Sequence, residues 1–223
     1  MSNSRISKGL GTALLIIWSA TAIAAGTQAA TPMDTEIERL VAQHSPSKAL
    51  LTKDTIKVQT TGTIAINFGE ALDSLGQTKL IERIQAEYAR TLPPGTKPEF
   101  AVIPLGSNVW TFSNKHAERS EIHKVAIERL ATNQLMAVFY TCGERYFGTF
   151  ESLTAIRISS AGKEAVAYEV VVLAYPHQAL CRFFARHLGL VDSYFQAKTK
   201  EIETLATAIC RGLCGRKQLQ STS

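Results

Sequence analysis

Three apolar segments follow one another between Gln134 and Tyr175, and the turns between them are too short to hold a crossover. Gln134 to Thr141 is apolar and aromatic. Tyr146 to Ile158 is longer and ends at Ser160-Ala161-Gly162-Lys163, and Ala165 to Tyr175 carries Val166, Val170, Val171 and Val172. Such density of β-branched and aromatic residues favours strands. Parallel neighbours need a dozen or more connecting residues, so strands this close in sequence pair antiparallel. This part of the chain is expected to form a three-strand meander, with aromatics on both parities that call for cover on both faces.

Upstream, Met33 to Gln43 reads as a short helix stopped by Ser45-Pro46-Ser47. Thr55 to Phe68 alternates, with Ile56, Val58, Ile64, Ile66 and Phe68 on one parity, and reads as a half-buried strand. Gln77 to Thr91 reads as a helix with an apolar stripe of Leu80, Ile81, Ile84 and Tyr88, ended by Pro93-Pro94-Gly95. Glu99 to Ile103 and Val109 to Phe112 flank a turn and suggest a hairpin. Glu121 to Thr132 fits helix and strand spacing alike. Beyond Pro176, Leu180 to Leu188 and the stripe from Val191 to Leu213 read as helices, the second of them long. The expected fold class is α+β: a mainly antiparallel sheet, with its C-terminal three-strand meander, packed against helices and followed by a long C-terminal helix.

The N-terminus supplies an address. Arg5 and Lys8 precede an apolar core from Ala13 to Ala25, and Ala22-Ile23-Ala24 offers small residues for a signal peptidase. No charge occurs over the 25 residues from Gly9 to Met33, so an uncleaved membrane anchor is the competing reading. The expected organisation is a signal peptide over 1–24, with a cut as late as 30, an N-terminal helix and connector over 25–54, one α+β domain over 55–214 and a flexible tail over 215–223. The expected location is periplasmic or secreted, with membrane attachment only if the segment stays. Loss of Arg5 and Lys8 lowers the formal charge from +5 to about +3. With no concentrated basic run remaining, a nucleic-acid partner is not expected.

Four cysteines in an exported chain suggest disulfides. Cys142 and Cys181 can meet at one end of the meander, which leaves Cys210 to pair locally with Cys214. A zinc site from the four is disfavoured by their spacing. No Gly-x-Ser-x-Gly, phosphate-binding or His-Glu-x-x-His motif occurs. His116 and His123 with Glu118 or Glu121, and Cys142 as a thiol nucleophile, are the only catalytic candidates, and neither forms a recognised motif. No catalytic residue, metal or cofactor is therefore expected. Phe139, Tyr146, Phe150 and Trp110, with Arg182 and Arg186, are the candidate contacts for a ligand or partner.

These observations favour an exported, non-enzymatic envelope protein acting through contacts with another envelope protein. The alternatives are a carrier or sensor of a small apolar or amphipathic ligand, and a hydrolase with an unrecognised site.

Overall fold

The computed structural model describes residues 32–75, 79–96, 98, 100–114, 119–145, 148–179, 182 and 212. Two short helices, α1 (Met33–Val41) and α2 (Ser45–Leu51), lead into strand β1 (Ile56–Ile64). Helices α3 (Phe68–Leu75) and α4 (Leu80–Thr91) follow. Six strands then run without interruption by helix: β2 (Phe100–Gly106), β3 (Val109–Asn114), β4 (Arg119–Ala131), β5 (Gln134–Arg145), β6 (Gly148–Ser160) and β7 (Val166–Pro176). All seven form one antiparallel sheet in the order β1-β7-β6-β5-β4-β3-β2.

This architecture corrects the expected fold class. The meander does not stop at three strands: β2, β3 and β4 extend it, and β1 joins its far edge beside β7. The four described helices all precede β2, and the longest, α4, has 12 residues. No long C-terminal helix belongs to the described architecture. The helices expected after Pro176 lie outside the described residues, as do the signal segment over 1–24 and the tail over 215–223.

Other boundaries moved for local reasons. Ser45-Pro46-Ser47 begins a helix instead of ending one. Proline fits the first helical turn, and His44 accepts the Ser47 N–H at 3.3 Å as N-cap. The alternating run ends at Ile64, and Asn67 starts α3 by accepting the Gly69 N–H at 2.7 Å. The ambiguous segment is the 13-residue strand β4. Its register shifts between Lys124 and Ala126, which leaves Val125 as an extra residue against β5. Such a bulge breaks strict alternation and bends the strand.

Both faces of the sheet are covered, which is why β5 is apolar on both parities. The inner face carries Leu135, Ala137 and Phe139 of β5 with Ile156, Ile158, Val166, Tyr168 and Val170, and packs against Leu80 and Tyr88 of α4 and Ala71 of α3. The outer face carries Met136, Val138 and Tyr140 with Leu153, Ala155 and Val171. It packs against Met33, Ile37 and Val41 of α1 and Leu50 of α2. Ion pairs rim the outer helices: Lys57 meets Asp34 at 2.7 Å, and Arg39 meets Glu128 at 2.8 Å.

Gly62 of β1 faces Tyr168 of β7 in direct register. A Cβ on Gly62 would collide with the Tyr168 ring and hydroxyl. Gly62→Ala is therefore expected to lower stability by about 1–3 kcal/mol through overpacking. Urea unfolding checks this, and an unchanged midpoint would show that the β1–β7 edge yields freely.

Candidate functional site

The inner face holds an apolar layer with polar atoms set into it. Trp110 on β3 lies opposite Ile122 on β4, and Ile122 lies opposite Thr141 on β5. Phe112 lies opposite Ser120 one step along. All five side chains are at most 5% exposed. Among the described residues, the Trp110 indole Nε1, the Ser120 Oγ and the Thr141 Oγ1 are buried without a hydrogen-bond partner. They span two strand spacings, about 10 Å. Thr60 Oγ1 on β1 and one carboxylate oxygen of Glu82 on α4 share this condition. Buried polar atoms are paired in the great majority of cases, so a group of such atoms on one face calls for an explanation.

The outer face presents a different chemistry at the end where α2 meets the sheet. Tyr140 donates to Glu151 Oε1 at 2.8 Å, and Lys53 donates to Glu151 Oε2. His177 Nε2 lies 3.5 Å from the same oxygen. The rings of His44 and His123 lie 5.5 and 5.7 Å from that of Tyr140. His123 Nε2 lies 3.2 Å from Glu121 Oε2. Tyr175 is flanked by Lys53 at 5.0 Å and by the Arg182 guanidinium at 4.8 Å from its ring centre. The register explains the gathering. Glu121 pairs with Cys142, His123 with Tyr140, Cys142 with Glu151 and Glu151 with Tyr175, so all point to one face of four adjacent strands.

Charge states in this cluster follow from burial and neighbours. Burial acts to raise the Glu151 carboxyl, but the Lys53 and Tyr140 hydrogen bonds and the Lys53 and His177 charges hold it below the usual carboxylate range. Burial, reinforced by Glu151, pushes the Tyr140 hydroxyl far up. Burial and the Glu121 charge push the Cys142 thiol up against the pull of the Tyr140 hydroxyl, with Glu151 adding to the rise. A thiol nucleophile needs its pKa lowered. Burial and the Glu121 charge thus work against thiolate formation at Cys142.

The sequence-derived candidates divide between the two faces. Trp110 and Phe139 are buried in the inner layer, and half-buried Phe150 shares that face. Arg182 lies beside Tyr175, where it donates to the Pro176 and His177 carbonyls at 2.6 and 2.8 Å. Tyr146, Arg186, His116 and Glu118 lie outside the described residues. Among the described residues Cys142 is a free thiol. Its expected partner Cys181 is not one of those residues, nor are Cys210 and Cys214. Residue-by-residue reading did not single out His44 or Lys53 as site residues, and gave no reason to join Tyr140 to Glu151. Strand register sets Tyr140 near Glu151, and the packing of α2 on the outer face brings His44 and Lys53 to them.

His44 supplies a pH test. Burial, reinforced by His123, lowers its pKa from the ordinary 6.5. The neutral ring thus favours the folded state. Its contribution is complete above the unfolded-state value and is lost as pH falls through the folded one. Asn keeps an N-cap oxygen without titrating. His44→Asn is therefore expected to match the parent near neutral pH and to lose less stability between about pH 6.5 and pH 5. Urea midpoints across that range check this, and parallel pH profiles would contradict it.

No protein-family description matches the chain, and no curated relative matches it. Among solved structures, it is similar to norcoclaurine synthase from Thalictrum flavum in complex with dopamine and hydroxybenzaldehyde, with 10% identity and a TM-score of 0.48 over 86% of this chain and 95% of that one. It is similar to human STARD10 at 14% identity and a TM-score of 0.46, over 73% of this chain and 66% of that one. A conserved protein from Geobacillus kaustophilus matches at 10% identity and a TM-score of 0.41, over 67% of this chain and 96% of that one. With such identities and TM-scores, none of these similarities bears on what the chain does.

Proposed function

We propose that the protein is a carrier or sensor of a small amphipathic molecule, held against the inner face of the sheet and working outside the cytoplasm. The observation that carries this reading is the group of unpartnered polar atoms on Trp110, Ser120 and Thr141 within an apolar layer. An indole N–H donates only, and hydroxyls donate or accept. Together they suit a molecule with an apolar body and an oxygen-bearing polar end. Ligand sites commonly combine an apolar lining with a few placed polar groups. The sequence-derived export signal supports the compartment.

This reading replaces action through protein contacts. Among the described residues, the large exposed apolar side chains are Ile103 and Leu105. Both sit on the edge strand β2, where Pro104 and a register shift already discourage strand addition. Two residues do not make an apolar docking patch. The raised thiol of Cys142 likewise gives the hydrolase reading no support.

Delipidated protein is expected to bind hexadecanoic acid saturably, followed by the emission of Trp110, with Trp110→Phe as the control for Trp18. Thr141→Val and Ser120→Ala are each expected to weaken binding about tenfold, which corresponds to about 1.4 kcal/mol. The same changes should leave stability equal or raise it by about 1 kcal/mol, because each removes an unpaired buried group. Unchanged affinity in both variants, or no saturable binding together with no small molecule retained in native mass spectrometry, would overturn the reading.

A further inference from the structure

The geometry points to a second site, on the outer face and separate from the proposed ligand layer: we propose that Glu121, His123 and Cys142 bind a divalent transition metal of the zinc type. One ligand atom from each lies within 4.8 Å of the other two. Glu121 and Cys142 are direct cross-strand partners, and His123 stands two residues from Glu121 on the same face. Two adjacent strands at the interior of a seven-stranded sheet therefore fix all three backbones. Side chains held by rigid elements make more exact sites than side chains on loops.

The distances suit the chemistry. Zinc–nitrogen and zinc–oxygen bonds of about 2.0–2.2 Å set a tetrahedral N···O edge of about 3.3–3.5 Å. The His123 Nε2 to Glu121 Oε2 separation of 3.2 Å already matches that edge. A zinc–sulfur bond of about 2.3 Å asks Cys142 for an S···N edge near 3.6 Å. The ligand atoms lie within 4.8 Å of one another, so closure asks the thiol to move by about 1 Å at most. Binding replaces the thiol proton by the metal, and the proton leaves to solvent. A donor set of one sulfur, one imidazole nitrogen and one carboxylate oxygen selects zinc-like ions over magnesium or calcium.

The surroundings fit an accessible three-ligand site. The Glu121 side chain is 53% exposed and gives an ion a route in. The Tyr140 hydroxyl interacts with Cys142 and is itself fixed by Glu151, which in turn is held by Lys53. Outer partners of this kind orient metal ligands. His44 is not a fourth ligand: its Nδ1 accepts the Ser47 N–H, so its proton is assigned to Nε2. Three protein ligands leave a fourth position for water, as in reactive rather than purely structural zinc sites.

The test is titration of the reduced full chain with cobalt(II), followed by displacement with zinc(II). One equivalent should give a sulfur-to-cobalt charge-transfer band and the intensified visible bands of tetrahedral cobalt. Cys142→Ser should abolish the charge-transfer band. His123→Ala and Glu121→Ala should each weaken binding by more than about 100-fold, beyond the roughly 10–100-fold typical of losing an outer partner. Circular dichroism confirms that each variant is folded, and exposed Glu121 gives the variant least exposed to misfolding. A variant lacking Cys181, Cys210 and Cys214 should keep the band. No band at one equivalent, a band that survives both His123→Ala and Glu121→Ala, or a band lost only with the other three cysteines would overturn the proposal. Because no inner-face residue is altered, the outcome is independent of the hexadecanoic acid experiment.

Discussion

The pairing of β1 with β7 is the constraint on which the rest of this fold depends. Nine residues of β1, from Ile56 to Ile64, run in unbroken register against Val166 to Ala174. Every other pair of neighbouring strands is also consecutive in sequence. This one joins segments about a hundred residues apart, so closing it carries the largest loop entropy in the sheet. It also decides where the helices go. The chain approaches β1 from α1 and α2 on the outer face and leaves it into α3 and α4 on the inner face.

Covering both faces separates two kinds of chemistry. The inner side is an apolar layer in which, among the described residues, hydroxyls and an indole remain without partners. The outer side ends in a dense group of ionisable residues whose hydrogen bonds converge on Glu151. The same strands serve both. Thr141 faces inward, while Tyr140 and Cys142 on either side of it face outward. A one-residue slip of β5 would exchange the two sets, so the register that stabilises the core also keeps the proposed ligand layer apart from the metal cluster.

What was legible in the sequence was local. The alternation of β1, the stripe of α4, the β2–β3 turn and the valine-rich β7 all follow from short-range pattern. What was not legible depended on pairing. The bulge at Val125 placed Glu121 and His123 outward before it and Ala126 and Glu128 outward after it, which gave β4 a spacing that mimics a helix. His44 and Lys53 flank a helix that seemed to be only a stop signal. The neighbours of Cys142 in space, Glu121, His123 and Tyr140, are invisible without register. The aromatic excess on β5 correctly signalled cover on both faces, although the outer cover came from the N-terminal helices.

The outer helices reach the sheet through one short connector, Thr52 to Thr55, between the end of α2 and the start of β1. A protease cut in that connector would leave α1 and α2 attached only by side-chain packing and rim ion pairs. Their departure would bare Met136, Val138, Leu153, Ala155, Val171 and Leu173 as one continuous stripe. Chains nicked there would self-associate through that stripe rather than persist as soluble fragments. Four residues of linker thus tether the helices that cover this apolar surface.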